Sequence, residues 1–402
     1  MPDLSSEHAT LIATRRDLHR HPELGFEEHR TAGIVAERLR AAGYDVREGV
    51  AETGVVGTLR GEAGAGPTLL LRADMDALPI QEEASHDFAS THPGKMHACG
   101  HDAHVAIGLA VAERLAKRRS QWPGTIRYVF QPAEEGAGGG LRMVQEGVLE
   151  GVDAALGLHV WMELDSGTVG VVEGPMMAGA GEFRIEVQGR GGHGAIPQET
   201  VDAVMIASQI VVAAQTIVSR NVSPLDTAVL TFGTFHAGNS PNIIADSAIL
   251  EGTIRAYRID LMTEMQDRLR SLASGIAAAF GARCEMSLGK IFYPPTINDS
   301  RMAALVAAAA TEVVTPARVR LDPGVRTMAA EDFSEYALRV PGCYFFLGIR
   351  DEAAGIIHPH HSPRFAVSEP ALPLGVDILE RAALAFLTGT DGPAVLQEIT
   401  ST

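Results

Sequence analysis

GEFRIEVQGR, residues 181–190, decides how this chain of 402 residues is divided. Phe183, Ile185 and Val187 alternate with Glu182, Arg184, Glu186 and Gln188, the period of two expected of a strand with one buried and one wet face. Upstream the pattern is different. Short, mostly apolar runs at 68–72 (TLLLR), 125–130 (TIRYVF) and 154–160 (AALGLHV) read as strands, and 31–43 and 102–119 read as helices. The second of these starts acidic and ends basic, which suits the helix dipole. Apolar strands alternating with helices imply an α/β fold whose mixed, mostly parallel sheet is covered on both faces. Downstream, a helix is expected at 200–220, strands at 227–235 and 247–257, a helix at 260–280 and a strand at 283–292. That order, βαββαβ, is a complete ferredoxin-like α+β unit. YPPTINDS (293–300) then breaks the pattern, and a helix at 302–314 and the strand CYFFLGI (343–349) resume the first one. The economical division is one discontinuous α/β domain, 1–180 and 294–402, interrupted by an inserted domain at 181–293.

A net charge of −17 with no dense Lys/Arg block argues against nucleic acid and anionic membranes as partners, because phosphate binding needs clustered positive charge. No apolar run is read as approaching the roughly 18 residues of a transmembrane helix. No basic segment followed by an apolar stretch opens the sequence, so no signal peptide is expected. Three scattered cysteines do not make a disulfide framework and fit a reducing cytoplasm.

Several segments carry ligand-type residues. In MHACGHDAH (96–104), Cys99 and His101 stand two apart just before a helix, where a thiolate and an imidazole can converge on one divalent ion. Alone, such a pair is more often structural or accidental than a metal site. His97, Asp102 and His104 crowd the same stretch, Asp102 as an ordinary N-terminal carboxylate of the helix and His104 as a residue on its face. Glu134 and Glu135 follow a strand in QPAEEGAGGG (131–140). Two adjacent acids repel unless a cation or proton separates their roles, one binding metal and the other taking a proton from water. The alternative is a solvated loop, and the missing G-K-[ST] rules out a phosphate-binding loop. His159 is placed at the end of its strand, facing the ligand crevice of an α/β sheet or satisfied in the core. Asp74 and Asp76 in RADMDALP (72–79) share one side of an extended chain, and Asp76 can hydrogen-bond a metal-ligating imidazole from behind. Of His358, His360 and His361 in IIHPHHSPRF (356–365), one or two at most can be ligands. There is no G-x-S-x-G elbow, no H-E-x-x-H helix and no G-x-G-x-x-G after the first strand. A hydrolytic site with two metal ions accounts for these segments best.

Together the stretches resemble the aminoacylase/carboxypeptidase family of dinuclear metallopeptidases. The nearer likeness is to its amidohydrolase branch, with the hippurate hydrolases and the plant hydrolases of auxin–amino acid conjugates. RRDLHRHPELGFEE (15–28), RADMDALPI, MHACGHDAHVA, FQPAEEG, LGLHV, GGHGAIP (191–197), SPNIIAD (240–246), GTIRAY (252–257), AAEDFS (329–334) and HHSPRF carry it along nearly the whole chain. The resemblance implies two divalent metal ions per subunit, zinc first, with manganese, cobalt and nickel also compatible. It implies Cys99, His101, Glu135, His159 and His361 as ligands, with Cys99 as the bridge. His101 and His159 would serve one ion, Glu135 and His361 the other. Glu134 would be the catalytic base. Peptidase relatives have a histidine where this chain has Asp74, which leaves Asp74 without a role. The inserted domain would be a lid and dimerisation domain, giving a homodimer or homotetramer. In it, His193 would stabilise the oxyanion, from its own or the neighbouring subunit, and Asn242 and Arg255 would hold the polar end of the substrate. The implied activity is hydrolysis of N-acyl amino acids or related small amides. Carboxypeptidase or dipeptidase action is the alternative within enzymes, and a non-catalytic metal-binding or scaffold protein the alternative outside them.

Overall fold

The computed structural model describes residues 4–84 and 86–390, which separate into two compact units. The larger takes the described residues up to 176, residues 297–326 and the described residues from 332 on; the smaller contains Met177–Thr296 and Thr327–Glu331.

The larger unit is built on an eight-stranded sheet. Its strands lie in the order Asp45–Val50, Gly54–Arg60, Thr125–Gln131, Thr68–Asp74, Ala154–Asp165, Gly342–Arg350, Val169–Gly170, Val319–Arg320. The three junctions joining 125–131, 68–74, 154–165 and 342–350 are parallel; the hairpin 45–60 adds an antiparallel edge. That hairpin was not readable in the sequence, since its outer strand DVREGV is polar and largely exposed. One face of the sheet buries Leu69, Leu71, Phe130, Leu156, Leu158, Phe345 and Leu347 with apolar residues of the helices His29–Ala41, His101–Lys117, Ser300–Val313 and Leu372–Thr388. Each such side chain contributes about 1.5–3 kcal/mol of burial, so the strand ends are held firmly.

The register decides where chemistry can gather. Asp74 pairs with Gln131, and Arg72 pairs with Gly157. His159 therefore stands level with Asp74, just past the last paired residue of the neighbouring strand. The expectation that His159 ends its strand needs correction: the strand runs on to Asp165, and it is the shorter neighbour that opens the crevice.

The smaller unit has a four-stranded antiparallel sheet in the order Ala228–Ala237, Ser247–Ala256, Gly179–Gln188, Arg283–Tyr293, with the helices Ala203–Thr216 and Ile259–Ala279 packed on it. Thr327–Glu331 joins this unit because Met177 bridges Thr327 and the Ala178 N–H donates to the carbonyls of Thr327 and Ala329. Backbone pairing of so short a return leaves no trace in hydropathy. One expectation is corrected: residues Ala203–Asn221 reach the length and mean hydropathy, 1.4, of a membrane span. Ile206, Ile210, Ala214 and Ile217 of this segment are buried in the core of the unit, as in an ordinary core helix.

Candidate metal centre

The larger unit brings Cys99, His101, Glu134, Glu135, His159 and His361 together from three loops, the start of one helix and one strand. Gly100 makes this turn possible: it caps the helix His101–Lys117 at φ +89°, and a Cβ there would come within 2.4 Å of Val160 Cγ2. Cys99 and His101 are thereby presented on the two sides of a tight bend. His361 is itself left-handed, at φ +64°, and its N–H donates to the Ala98 carbonyl at 2.8 Å. A non-glycine residue in that region costs of order 1–3 kcal/mol, a strain that collects at functional sites.

Two groups of potential ligand atoms overlap. Cys99, His101 and His159 form one, and Cys99, Glu135 and His361 form the other, each with all its donor atoms within 4.8 Å of one another. Cys99 Sγ is 3.4 Å from His159 Nε2, and His361 Nε2 is 3.2 Å from Glu135 Oε1. Cys99 is the shared member. His101 Nδ1 lies 2.9 Å from the Asp76 carbonyl and 3.2 Å from Asp76 Oδ1, while its Nε2 is buried without a hydrogen-bond partner among the described residues. Asp76 Oδ2 also accepts from the Glu135 N–H at 2.9 Å, so one carboxylate aligns two of the groups. His159 Nδ1 faces the Val160 carbonyl at 2.6 Å, leaving Nε2 toward the thiol. His360 is differently placed: its Nε2 bonds the Val160 carbonyl at 3.0 Å, and its ring lies against Trp161 and Phe365.

The charges around this centre call for a cation. Burial, then Glu135 and Glu134, push the Cys99 thiol well above its usual range. Burial opposes an imidazolium at His101, yet Asp74 and Asp76 hold it up to about 10. A thiolate and a neutral His101 are what divalent ions require, and the surrounding acids offset the ions' charge. The donor set, one thiolate, imidazoles and a carboxylate, fits a pair of zinc-class ions.

Asp74, whose role the sequence left open, is part of the support. Burial raises its carboxyl, but Arg72, His101 and His104 hold it well below the carboxylate range. His104 Nε2 accepts from the Val160 N–H at 2.9 Å, so Nδ1–H donates to Asp74 Oδ1 at 2.5 Å. Arg72 donates to Asp74, Gln131 and Asp332, and Gln131 Nε2 donates to Asp332 in turn. Sequence reading missed Asp332, although it falls in the quoted AAEDFS, because nothing local ties it to Arg72. It also missed Glu28, which accepts from the Ala133 N–H at 2.9 Å and from Thr53 Oγ1 at 2.5 Å and so fixes the turn before Glu134. Burial pushes the Glu28 carboxyl up to about 7.

The other expected residues lie in the smaller unit. His193 is exposed, pairs with Ile243, and accepts the Ala195 N–H on Nδ1 at 3.1 Å. Asn242 is its neighbour, receiving the Gly194 N–H on its carbonyl at 2.8 Å. Arg255 is half-buried and donates to the Met328 carbonyl at 3.0 Å.

Residues 70–385 match the model of peptidase family M20/M25/M40. Thermostable carboxypeptidase 1 of Saccharolobus solfataricus is 41% identical over 93% of this chain and 94% of its own length. N-acetyl-L-cysteine deacetylase of Bacillus subtilis is 38% identical over 92% of this chain and 86% of its own. Among solved structures, a dinuclear metal-binding peptidase of the M20 family from Bacillus subtilis superimposes with a TM-score of 0.81 at 33% identity, covering 95% of this chain and 99% of that one.

Proposed function

The chain belongs to peptidase family M20/M25/M40, and from that premise we propose that it hydrolyses the amide bond of small N-acyl amino acids at a centre of two metal ions. The observation that carries this reading is the pair of ligand groups sharing Cys99, with Glu134 beside them and 6% exposed. Cys99, His101, Glu135, His159 and His361 would hold the ions, and zinc suits a bridging thiolate best. When bound, the ions acidify a water and polarise the scissile carbonyl. Glu134 takes the proton of that water as it attacks the carbonyl carbon, and then delivers it to the leaving amine. Asp76 keeps His101 and the Glu135 backbone oriented throughout. His193, as an N–H donor, stabilises the developing oxyanion.

Arg255 pairs with the substrate carboxylate and Asn242 with a polar group at the same end. Burial lowers the Arg255 pKa, and a guanidinium is not deprotonated in proteins, so the side chain is a standing cation. Arg255→Ala should raise KM for N-acyl amino acids roughly tenfold to a hundredfold, the loss of one charged pair, with a smaller change in kcat. An unchanged KM removes the anchor.

The smaller unit supports a homodimer. Its strand Ala228–Ala237 is an open sheet edge, and Val204, Met205, Val212 and Phe235 expose apolar surface. A cytoplasmic location is proposed on the ground that Cys99 must stay a free thiol to serve.

The deciding experiment compares N-acetyl and N-benzoyl amino acids with dipeptides, before and after chelation. We expect the N-acyl amino acids to be cleaved faster, activity to vanish on chelation, and zinc, manganese, cobalt or nickel to restore it. A preference for dipeptides supports the carboxypeptidase reading that the 41% identical relative favours. Chelator-resistant or absent amidase activity sinks the metal-hydrolase assignment.

A further inference from the structure

A second set of ligand-type side chains sits in the larger unit and shares no member with the Cys99 centre. His19 lies in the last turn of the helix Leu4–Arg20; Glu82 and His86 belong to the long loop that follows Asp76. Glu82 Oε1 is 3.2 Å from His19 Nε2 and 3.1 Å from His86 Nε2, so two imidazoles and one carboxylate oxygen meet at a common point. The outer atoms of Glu82 and His19 are already engaged. The Ser90 N–H donates to Glu82 Oε2 at 2.6 Å, which leaves Oε1 turned to the imidazoles. His19 Nδ1 is 2.8 Å from Asp102 Oδ2, and Arg15 Nε, 2.8 Å from the same oxygen, balances that carboxylate.

This is the arrangement in which a carboxylate behind one ring nitrogen orients the other toward a metal. With its proton on Nδ1, His19 points a lone pair at Glu82 Oε1, and two acceptors 3.2 Å apart repel unless a cation or proton lies between them. His86 is set by its ring, stacked on Phe88 at 3.9 Å, and its Nδ1 has no hydrogen-bond partner among the described residues. His19 is fully buried and Glu82 nearly so, whereas His86 is 21% exposed, so an ion can enter past His86. Further in, His97 is buried with neither ring nitrogen hydrogen-bonded among the described residues, its ring centroid 6.3 Å from that of His19.

We propose that His19, Glu82 and His86 form a third divalent-cation site, suited to zinc, cobalt or nickel by its two imidazoles and one carboxylate. An ion there ties the first helix to the loop that leads into Cys99. Through the His19–Asp102 contact it also braces the first turn of the helix that carries His101. Its place is structural, outside the reaction.

The test is the metal content of the full chain, equilibrated with Zn²⁺ and freed of excess ion, for the wild type, His86→Ala and His92→Ala. His92 lies on the same loop and outside the cluster, so its variant measures adventitious surface binding. His86→Ala should bind one zinc fewer per chain than the wild type and keep the amidase turnover of the wild type, which shows that it is folded. His92→Ala should bind as many as the wild type. Equal zinc in wild type and His86→Ala, or the same loss in His92→Ala, overturns the proposal. Should His86→Ala lose activity as well, the comparison moves to His86→Asp, which keeps a ligand atom on the loop. Recovery of the lost equivalent there upholds the site, and failure to recover it rejects the site.

Discussion

Glu134→Gln should lower turnover roughly 10³-fold while the zinc content of the Cys99 centre stays at the wild-type value, since positioned proton transfer contributes about 10²–10⁴ in rate. The loss corresponds to about 4 kcal/mol of transition-state stabilisation. Glutamine keeps the size and hydrogen-bonding reach of the side chain but cannot take a proton from the attacking water or return one to the amine. The structure favours a clean result. Ala133, just before Glu134, is left-handed at φ +52° and held by the bond of its N–H to Glu28, so the turn is set by the backbone and not by the charge of Glu134. Metal retention separates this role from that of Glu135, whose Oε1 faces His361 and whose removal should release an ion. Near wild-type kcat in Glu134→Gln, measured with both metals present, rejects Glu134 as the base. A fall in metal content together with activity would make it a ligand instead.

How much of this was legible in the sequence follows from the range of the interactions involved. The strand Gly179–Gln188 and the helix Ile259–Ala279 announce themselves by periodicity, because each buries one face within its own unit. The hairpin Asp45–Val50 and Gly54–Arg60 does not, because an exposed polar edge has no apolar alternation to show. In the site, Cys99, His101 and Glu135 were visible as local motifs. The neutralisation of Asp74 was not, since Arg72 is two residues away but Asp332 and Tyr344 come from the far end of the chain. Asp74, which the resemblance left without a role, serves as the acceptor that orients His104 under the Val160 N–H. The apolar run AALGLHV puts His159 at a strand end, whereas the strand runs on to Asp165, and only the register shows that its neighbour stops first. Pairing and register are set by partners distant in sequence, which is why hydropathy fixes elements better than it fixes their neighbours.

Activity should reappear when a Glu134→Gln chain is mixed with a His193→Ala chain, although each alone is inactive. The smaller unit motivates this by its own dimensions. His193 pairs with Ile243, before the strand Ser247–Ala256 begins, whereas Arg255 lies at the strand's other end, beside Met328. The eight steps from Ser247 to Arg255 alone span about 26 Å at the usual rise of a strand. That is longer than a small N-acyl amino acid, so His193 and Arg255 of one chain cannot both touch the same substrate molecule. If Arg255 anchors the carboxylate, the oxyanion donor comes from the partner chain. In a mixed dimer, the chain with intact Glu134 then receives an intact His193 from the other, and one of the two sites works. Random mixing of equal amounts makes half of the dimers mixed, so about a quarter of wild-type activity is expected after unfolding and reassembly together. Each parent should stay low, Glu134→Gln by the factor above and His193→Ala by roughly 10²–10³, the usual cost of removing one oxyanion donor. If the reassembled mixture is no more active than the parents while mass measurement shows mixed dimers, His193 serves its own chain. Arg255 is then not the carboxylate anchor, because the strand between them does not shorten.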